Sequence, residues 1–570
     1  MKQLLAIVVF LAACRVEAQT PPFTAPDRKP EFQEVQASSL YVPTRDGVRI
    51  AIDVVLPKGL PAGRKLPALF KISRFGRAAQ DGGISGEDRF WVQHGYARVL
   101  IDECGTGASF GVSRYGPDTV PDLYDLVDWV VHQPWSNGRV GAIGESVEGT
   151  ASEFLAATNH PAVRAVAPWF SDYNYYTDLV RPGGVFNEWL LKTFEDFTVQ
   201  MDSGDSAKRV EGDADGALVK QAIAEHRGNL DIYSVGKRAE FIDEPLGAAG
   251  ESWKDISMAG AAEALRKSAV PMLIFVSWYD AGTVQGTLKR FREFSNVQEI
   301  FIGAWSHGAA FDADPFFAPR SVQPSQMQQQ LEALQFFDYY LKDSPGTAAT
   351  ERRLNYYTIG EGKWHTTDLW PPKGLRQATY YLNSKSELTP QKSDEKLHVK
   401  LAATSTGESN RWHTQMGGNA VDYGKGLEKM NALTSFTTAP LASSLEITGQ
   451  PVLRLRMACA QADPSVIAYL VAVDAKGASF YITEGHLRLI QRKLNVAEQT
   501  LHTYAKKDTE PVPKESEMDA DLTLLPTSVL LAKGMRLRLL LASGDKATFA
   551  MSGEYEPTIS GVSRLELPVR

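Results

Sequence analysis

Cysteine is scarce: 3 in 570 residues, too few for a disulfide framework. Cationic charge is short as well. Lys and Arg total 60 against 68 Asp and Glu, a net charge of −8, so nucleic acid is not an expected partner. The sequence contains no His-Glu-x-x-His, no close cysteine pair and no dense His/Asp cluster. A catalytic zinc is therefore not expected, nor any other metal or cofactor. Gly105-Thr106-Gly107-Ala108-Ser109-Phe110-Gly111 lacks dinucleotide-loop spacing and reads as a tight turn. No apolar run is long enough to span a bilayer.

What is there is ordinary globular material, 43% hydrophobic and 10% aromatic, enough for about three or four domains. Lys2 precedes an apolar stretch, Leu4 to Ala13, of the length of a signal-peptide core. Two processing sites compete. Val16-Glu17-Ala18 suits release before Gln19, giving a signal peptide over residues 1–18, while Leu11-Ala12-Ala13-Cys14 has the form of a bacterial lipobox that would leave a lipid anchor on Cys14. The expected location is outside the cytoplasm: periplasmic or secreted, or tethered as a lipoprotein. Cys104 and Cys459, far apart in sequence, are expected to be two small buried thiols rather than a disulfide.

Residues 38–170 alternate short apolar runs with helical patterns, as a parallel sheet covered on both faces requires. Over 171–260 the strand signal stops and helical patterning takes over, which predicts a helical insertion. The sheet pattern resumes over 261–345. From 346 to 570 short alternating runs with turn signals predict a β-sandwich.

The most informative segment is Gly141-Ala142-Ile143-Gly144-Glu145-Ser146-Val147-Glu148-Gly149, an apolar run ending in a small-residue turn ahead of a helical pattern. Such a strand-to-helix turn exposes a serine hydroxyl, and the next N–H, that of Val147, points at a developing oxyanion. Serine needs a base that is itself oriented by an acid. Asp280 follows the predicted strand Met272 to Val276, and His307 follows Glu299 to Gly303. The order Ser146, Asp280, His307 is that of an α/β-hydrolase, whose sites collect at strand carboxyl ends. Of the flanking carboxylates, Glu148 is expected beneath the turn and Glu145 solvated or paired with an arginine. Trp169, Tyr173, Phe186 and Trp189, in the aromatic-rich start of the insertion, are candidate walls of a substrate pocket, with plain core packing as the competing reading.

Together these motifs, with Gln133-Pro134-Trp135, Trp278-Tyr279-Asp280, Trp305-Ser306-His307 and the strands opening at Pro440, resemble the cocaine-esterase and X-prolyl dipeptidyl aminopeptidase (CocE/NonD) family. The resemblance runs nearly end to end. It implies an α/β-hydrolase core with an inserted helical cap and a C-terminal jelly-roll β-sandwich. It also implies Ser146 as nucleophile, His307 as base and Asp280 as orienting acid. The family's oxyanion tyrosine falls at Phe75, which has no hydroxyl to donate, so Arg74, Arg77 or another group would have to substitute. Where the family has an arginine bracing the turn after the fourth strand, Cys104 stands instead. Ala281 and Gly282 replace the carboxylates that α-amino-acid ester hydrolases carry after the acid. The resulting expectation is an exported serine hydrolase acting on a small-molecule carboxylic ester or amide through an acyl-enzyme. The alternatives are an X-prolyl dipeptidyl-peptidase and a catalytically weakened relative that binds a ligand.

Overall fold

Two strands open the chain as a hairpin, β1 (Val35–Pro43) and β2 (Arg49–Pro57), turned at Asp46-Gly47. In the computed structural model, residues 22–78, 83–205, 207–344, 350–496, 498 and 501–570 are described. The expected signal segment, with Cys14 and Ala18, lies outside them.

Six strands then run parallel: β3 (Leu66–Ser73), β4 (Ala97–Asp102), β5 (Ser136–Glu145), β6 (Val163–Trp169), β7 (Met272–Ser277) and β8 (Gln298–Gly303). β4 and β7 are buried along their whole length, which explains why they read as continuous apolar runs rather than alternating ones. Helices α1 (Gly86–Gln93), α2 (Val120–Val131) and α3 (Val147–Ala157) connect the early strands. The sheet order is β1-β2-β4-β3-β5-β6-β7-β8, so the winding reverses between β3 and β5, where a crevice opens at the strand carboxyl ends. Ser146, Asp280 and His307 follow β5, β7 and β8 at that one edge.

The sheet does not stop at residue 345. β9 (Arg353–Thr358) pairs parallel with β8, and β10 (Lys363–Thr367) pairs antiparallel with β9, extending the first sheet to ten strands. Short alternating runs look the same in sequence whether they edge one sheet or begin the next, which is why the expected boundary at 346 falls too early for the sheet.

Between β6 and β7 the chain forms a helical cap that includes α4 (Glu188–Gln200), Ala217–Glu225 and Ile232–Arg238. It has a core of its own, centred on Tyr176, Phe186, Leu190, Ile232 and Trp253. From Arg376 onward the chain is an all-β domain. Its strand Ser465–Val473 is buried at every position, so both its faces are covered. This domain is bonded directly onto the parallel-sheet core: the buried Arg411 donates from Nε to the Ala281 carbonyl at 2.9 Å and from Nη2 to the Trp278 carbonyl at 2.8 Å.

Candidate active site

β5 ends at Glu145 and α3 starts at Val147, leaving Ser146 alone at the turn with φ 62° and ψ −127°. A non-glycine residue in that region is strained and persists only where its surroundings over-determine it. Here the Ser146 N–H donates to the Trp169 carbonyl at 2.9 Å and the Thr150 N–H to the Ser146 carbonyl at 3.0 Å. The neighbouring glycines are required by space. A Cβ on Gly144 would lie 2.5 Å from the Glu148 backbone, and one on Gly149 would lie 2.6 Å from the Trp169 carbonyl oxygen. Val147 opens α3, so its N–H belongs to the donors that a helix start leaves without an intrahelical acceptor.

Asp280 is fully buried after β7, and its Oδ1 lies 2.8 Å from Nδ1 of His307, itself nearly buried after β8. Thr283 donates its hydroxyl to Asp280 Oδ2 at 3.0 Å, and Gln415 of the all-β domain donates Nε2 to Oδ1 at 2.5 Å. The His307 N–H donates to Thr414 Oγ1 at 3.0 Å, and the Ala281 N–H to the Arg411 carbonyl at 2.8 Å. Burial by itself lowers the His307 pKa. The charge and hydrogen bond of Asp280, with the charges of Glu145 and Asp172, outweigh it and raise the imidazole to about 9. Ser146 and His307 line one cavity without being hydrogen-bonded to each other among the described residues.

That cavity has a volume of about 860 Å³, within the range of small-molecule sites. Its apolar wall comes chiefly from the cap, with Leu179, Leu190, Leu191, Phe194 and Phe197, and is completed by Phe75 and Met416. Glu145, Glu148 and Asp172 also face it. Burial raises the pKa of all three, most strongly at Asp172, where Asp178 and Asp280 add repulsion and where Oδ1 has no hydrogen-bond partner. Glu148 is answered by Lys71 at 3.8 Å. Of the two expectations for Glu145 the solvated one holds: it is exposed, and among the described residues it has no arginine partner. Its carboxylate reaches solvent through the cavity, whose walls still strip enough water to lift its pKa.

The four aromatics expected to wall the pocket stand elsewhere. Trp169 packs on Phe275 with ring centroids 4.9 Å apart, Tyr173 is buried with its hydroxyl on Glu293 at 3.0 Å, and Phe186 lies in the cap core under Arg181. Trp189 stacks flat on His413 at 3.6 Å. For Trp189 the reason is helix phase: on α4 residues 190, 191, 194 and 197 share the face toward Ser146, and 189 turns away. That apolar spacing was the signal available in the sequence.

Phe75 lines the cavity against Phe194 and Phe197, and its N–H is spent on Ser73 Oγ at 3.1 Å. Neither arginine considered as its substitute reaches the cavity wall. Arg74 grips both oxygens of Asp202 at 2.6 and 2.7 Å, and Arg77 bridges Asp53 and Asp102 at 2.8 and 2.7 Å. Arg77 instead supplies the brace absent at Cys104, because Asp102 in turn accepts the Ala108 N–H at 2.8 Å and so ties down the 105–111 turn. A residue the sequence reading missed is Tyr115, on the cavity wall, whose buried hydroxyl lies close to the Arg74 guanidinium. Cys104 and Cys459 are free thiols.

The fold and this edge define an α/β-hydrolase, and comparison with known proteins supplies the family. Residues 46–309 match the X-Pro dipeptidyl-peptidase (S15 family), and residues 346–559 match the X-Pro dipeptidyl-peptidase C-terminal non-catalytic domain. A Mycobacterium bovis protein provisionally named a serine esterase is 32% identical over 96% of this chain and 98% of its own length. The cocaine esterase of a Rhodococcus species is 24% identical over 80% of this chain and 83% of its own. Among solved structures, a CocE/NonD family hydrolase from Staphylococcus aureus superposes with a TM-score of 0.71 at 16% identity, covering 94% of both chains. An α-amino acid ester hydrolase gives 0.70 at 18% identity, covering 98% of this chain and 100% of its own. The chain belongs to the S15 family of serine hydrolases, whose members are named as esterases and as X-Pro dipeptidyl-peptidases.

Proposed function

We propose that this chain hydrolyses carboxylic esters through an acyl-enzyme on Ser146. The observation that carries the reading is the strained Ser146 sharing one cavity with a buried His307–Asp280 pair. With Nδ1–H bonded to Asp280, the neutral His307 has its lone pair on Nε2. That nitrogen takes the hydroxyl proton as Ser146 Oγ attacks the carbonyl, then returns it to the departing alcohol. Water repeats the exchange to release the acid. Serine–base bonds are often long in an empty site and tighten when substrate fills it. The Val147 N–H holds one side of the oxyanion, and we assign the second donor to the Tyr115 hydroxyl.

The apolar cap wall favours esters with a bulky apolar group. A second reading rests on a different observation: the unpartnered buried oxygen of Asp172 suits an ammonium group, as on the amino end of an X-Pro peptide. Fluorophosphonate labelling of purified protein, with peptide mapping and a Ser146→Ala control, tests the acyl-enzyme. Adduct on Ser146 alone is expected; its absence from folded protein makes the ligand-binding alternative the better account. Rates on aryl esters against X-Pro anilides then separate the two substrate readings.

We also propose export, on the strength of Lys2 and the Leu4 to Ala13 core. Mass spectrometry of the mature amino terminus distinguishes Gln19 from a lipidated Cys14, and an uncleaved Met1 in a native host refutes both.

A further inference from the structure

We infer that Gln415 is a positioning residue for the Asp280–His307 pair, supplied to the site by the all-β domain. The inference rests on the proposed acyl-enzyme chemistry and deepens it. Asp280 has no exposed surface, so its carboxylate depends on buried partners for its hydrogen bonds. Among the described residues three side chains donate to it: Thr283 to Oδ2, and His307 and Gln415 both to Oδ1. Gln415 is the one that reaches across from another domain, over 135 residues of chain.

The segment carrying Gln415 is stiff where it meets the core. Asn410 Oδ1 accepts the Trp412 and His413 N–H groups at 2.9 and 3.0 Å, which starts the short turn His413–Gln415. Arg411 and Ala281 exchange two bonds, the Ala281 N–H to the Arg411 carbonyl at 2.8 Å and Arg411 Nε to the Ala281 carbonyl at 2.9 Å. Thr414 Oγ1 accepts from the His307 N–H at 3.0 Å and donates to the Asn419 carbonyl at 2.7 Å. The three residues Arg411, Thr414 and Gln415 thus touch the acid loop, the histidine loop and the acid itself. A Gln so anchored does two things. It holds the Asp280 carboxylate in the orientation His307 needs, and as a neutral donor on Oδ1 it draws off part of the negative charge that the imidazole feels.

The second effect has a sign. The charged groups facing His307 are Asp280 after β7, Glu145 at the end of β5 and Asp172 after β6; from the all-β domain Arg411 bonds to the carbonyls of the acid loop. All three carboxylates favour the imidazolium. Removing the Gln415 donor leaves Asp280 the stronger acceptor, so the His307 pKa rises and the acid limb of the pH–rate profile moves to higher pH.

The test compares wild type with Gln415→Met, which keeps length without a donor, and Gln415→Ala as a second variant. Expected are a fall in kcat of roughly tenfold with little change in KM, and an upward shift of the acid limb of about half a pH unit to one unit. A drop in kcat with an unmoved limb, a rise in KM alone, or no change in either overturns the inference. Histidine-selective NMR titration of His307 in the resting protein gives the same shift without turnover. It reads the pair even if wild type neither hydrolyses esters nor labels at Ser146, an outcome that would instead refute the proposed chemistry.

Discussion

The two halves of the site are built by opposite means. The half around Ser146, the proposed nucleophile, is local and made of backbone: Gly144, Ser146 and Gly149 lie within six residues, and the strained turn is held by main-chain bonds to the end of β6. The half around the proposed acid–base pair is assembled from a distance and made of side chains. Asp280 and His307 stand 27 residues apart, and Arg411, Thr414 and Gln415 tie them from the all-β domain. A serine placed by steric necessity keeps its position while its surroundings shift, whereas a hydrogen-bonded pair spanning two domains keeps its register only as long as both stay docked. The two halves should therefore fail differently.

Asp280→Asn breaks the second half outright and carries the largest expected effect, a loss of about 10⁴ in kcat through the wrong histidine tautomer. The sign of the pH change follows from the causes at His307. Asp280 is what lifts the imidazole above its ordinary 6.5, and burial pulls it down, so the variant's acid limb should move to lower pH even as the rate falls. A pH profile of kcat/KM measures both at once. An acid limb that stays where it was would mean that Asp280 does not set the His307 pKa.

Tyr115→Phe probes the first half at the point where backbone alone is insufficient. If its hydroxyl is the second oxyanion donor, kcat should fall roughly 10²- to 10³-fold, with KM and the pH limb unchanged. Phe75→Tyr in the same background should recover part of the loss by restoring a hydroxyl on the cavity wall. A Tyr115→Phe enzyme as fast as wild type would remove Tyr115 from the mechanism.

This division also explains what could be read from sequence. The turn at Ser146 was legible because its cause, small residues around one strained position, lies within a single nine-residue segment. The parallel sheet was legible because fully buried strands such as β4 and β7 are apolar throughout. Gln415 and Arg411 were not legible: they sit in a stretch without periodic pattern, and their partners are more than 100 residues away. Arg77 escaped notice as the turn's brace because the family's brace is expected at position 104, while here the charge comes from the other side of Asp102. The continuation of the sheet into β9 and β10 was hidden because an edge hairpin and a sandwich strand share one pattern. The cap aromatics misled for a simpler reason. Ring size marks burial but not which cavity a buried ring faces, and on α4 helix phase decides that.

The smallest effects test that last distinction. Leu190 faces the cavity, and its neighbour Trp189 covers His413 at the junction with the all-β domain. Leu190→Ala removes apolar wall from the cavity that holds Ser146, so the ratio of kcat/KM for long over short acyl esters should change by roughly tenfold, the scale of a methylene or two in an apolar pocket. Trp189→Ala removes a stacked pair worth about 1 kcal/mol beyond its buried area, so it should lower the thermal midpoint. The acyl-length ratio should stay as in wild type, because no cavity wall has moved. If Trp189→Ala shifted the ratio and Leu190→Ala did not, substrate would be bound at the cap's junction with the all-β domain rather than above Ser146. The domain that orients the acid–base pair would then also select what the serine attacks.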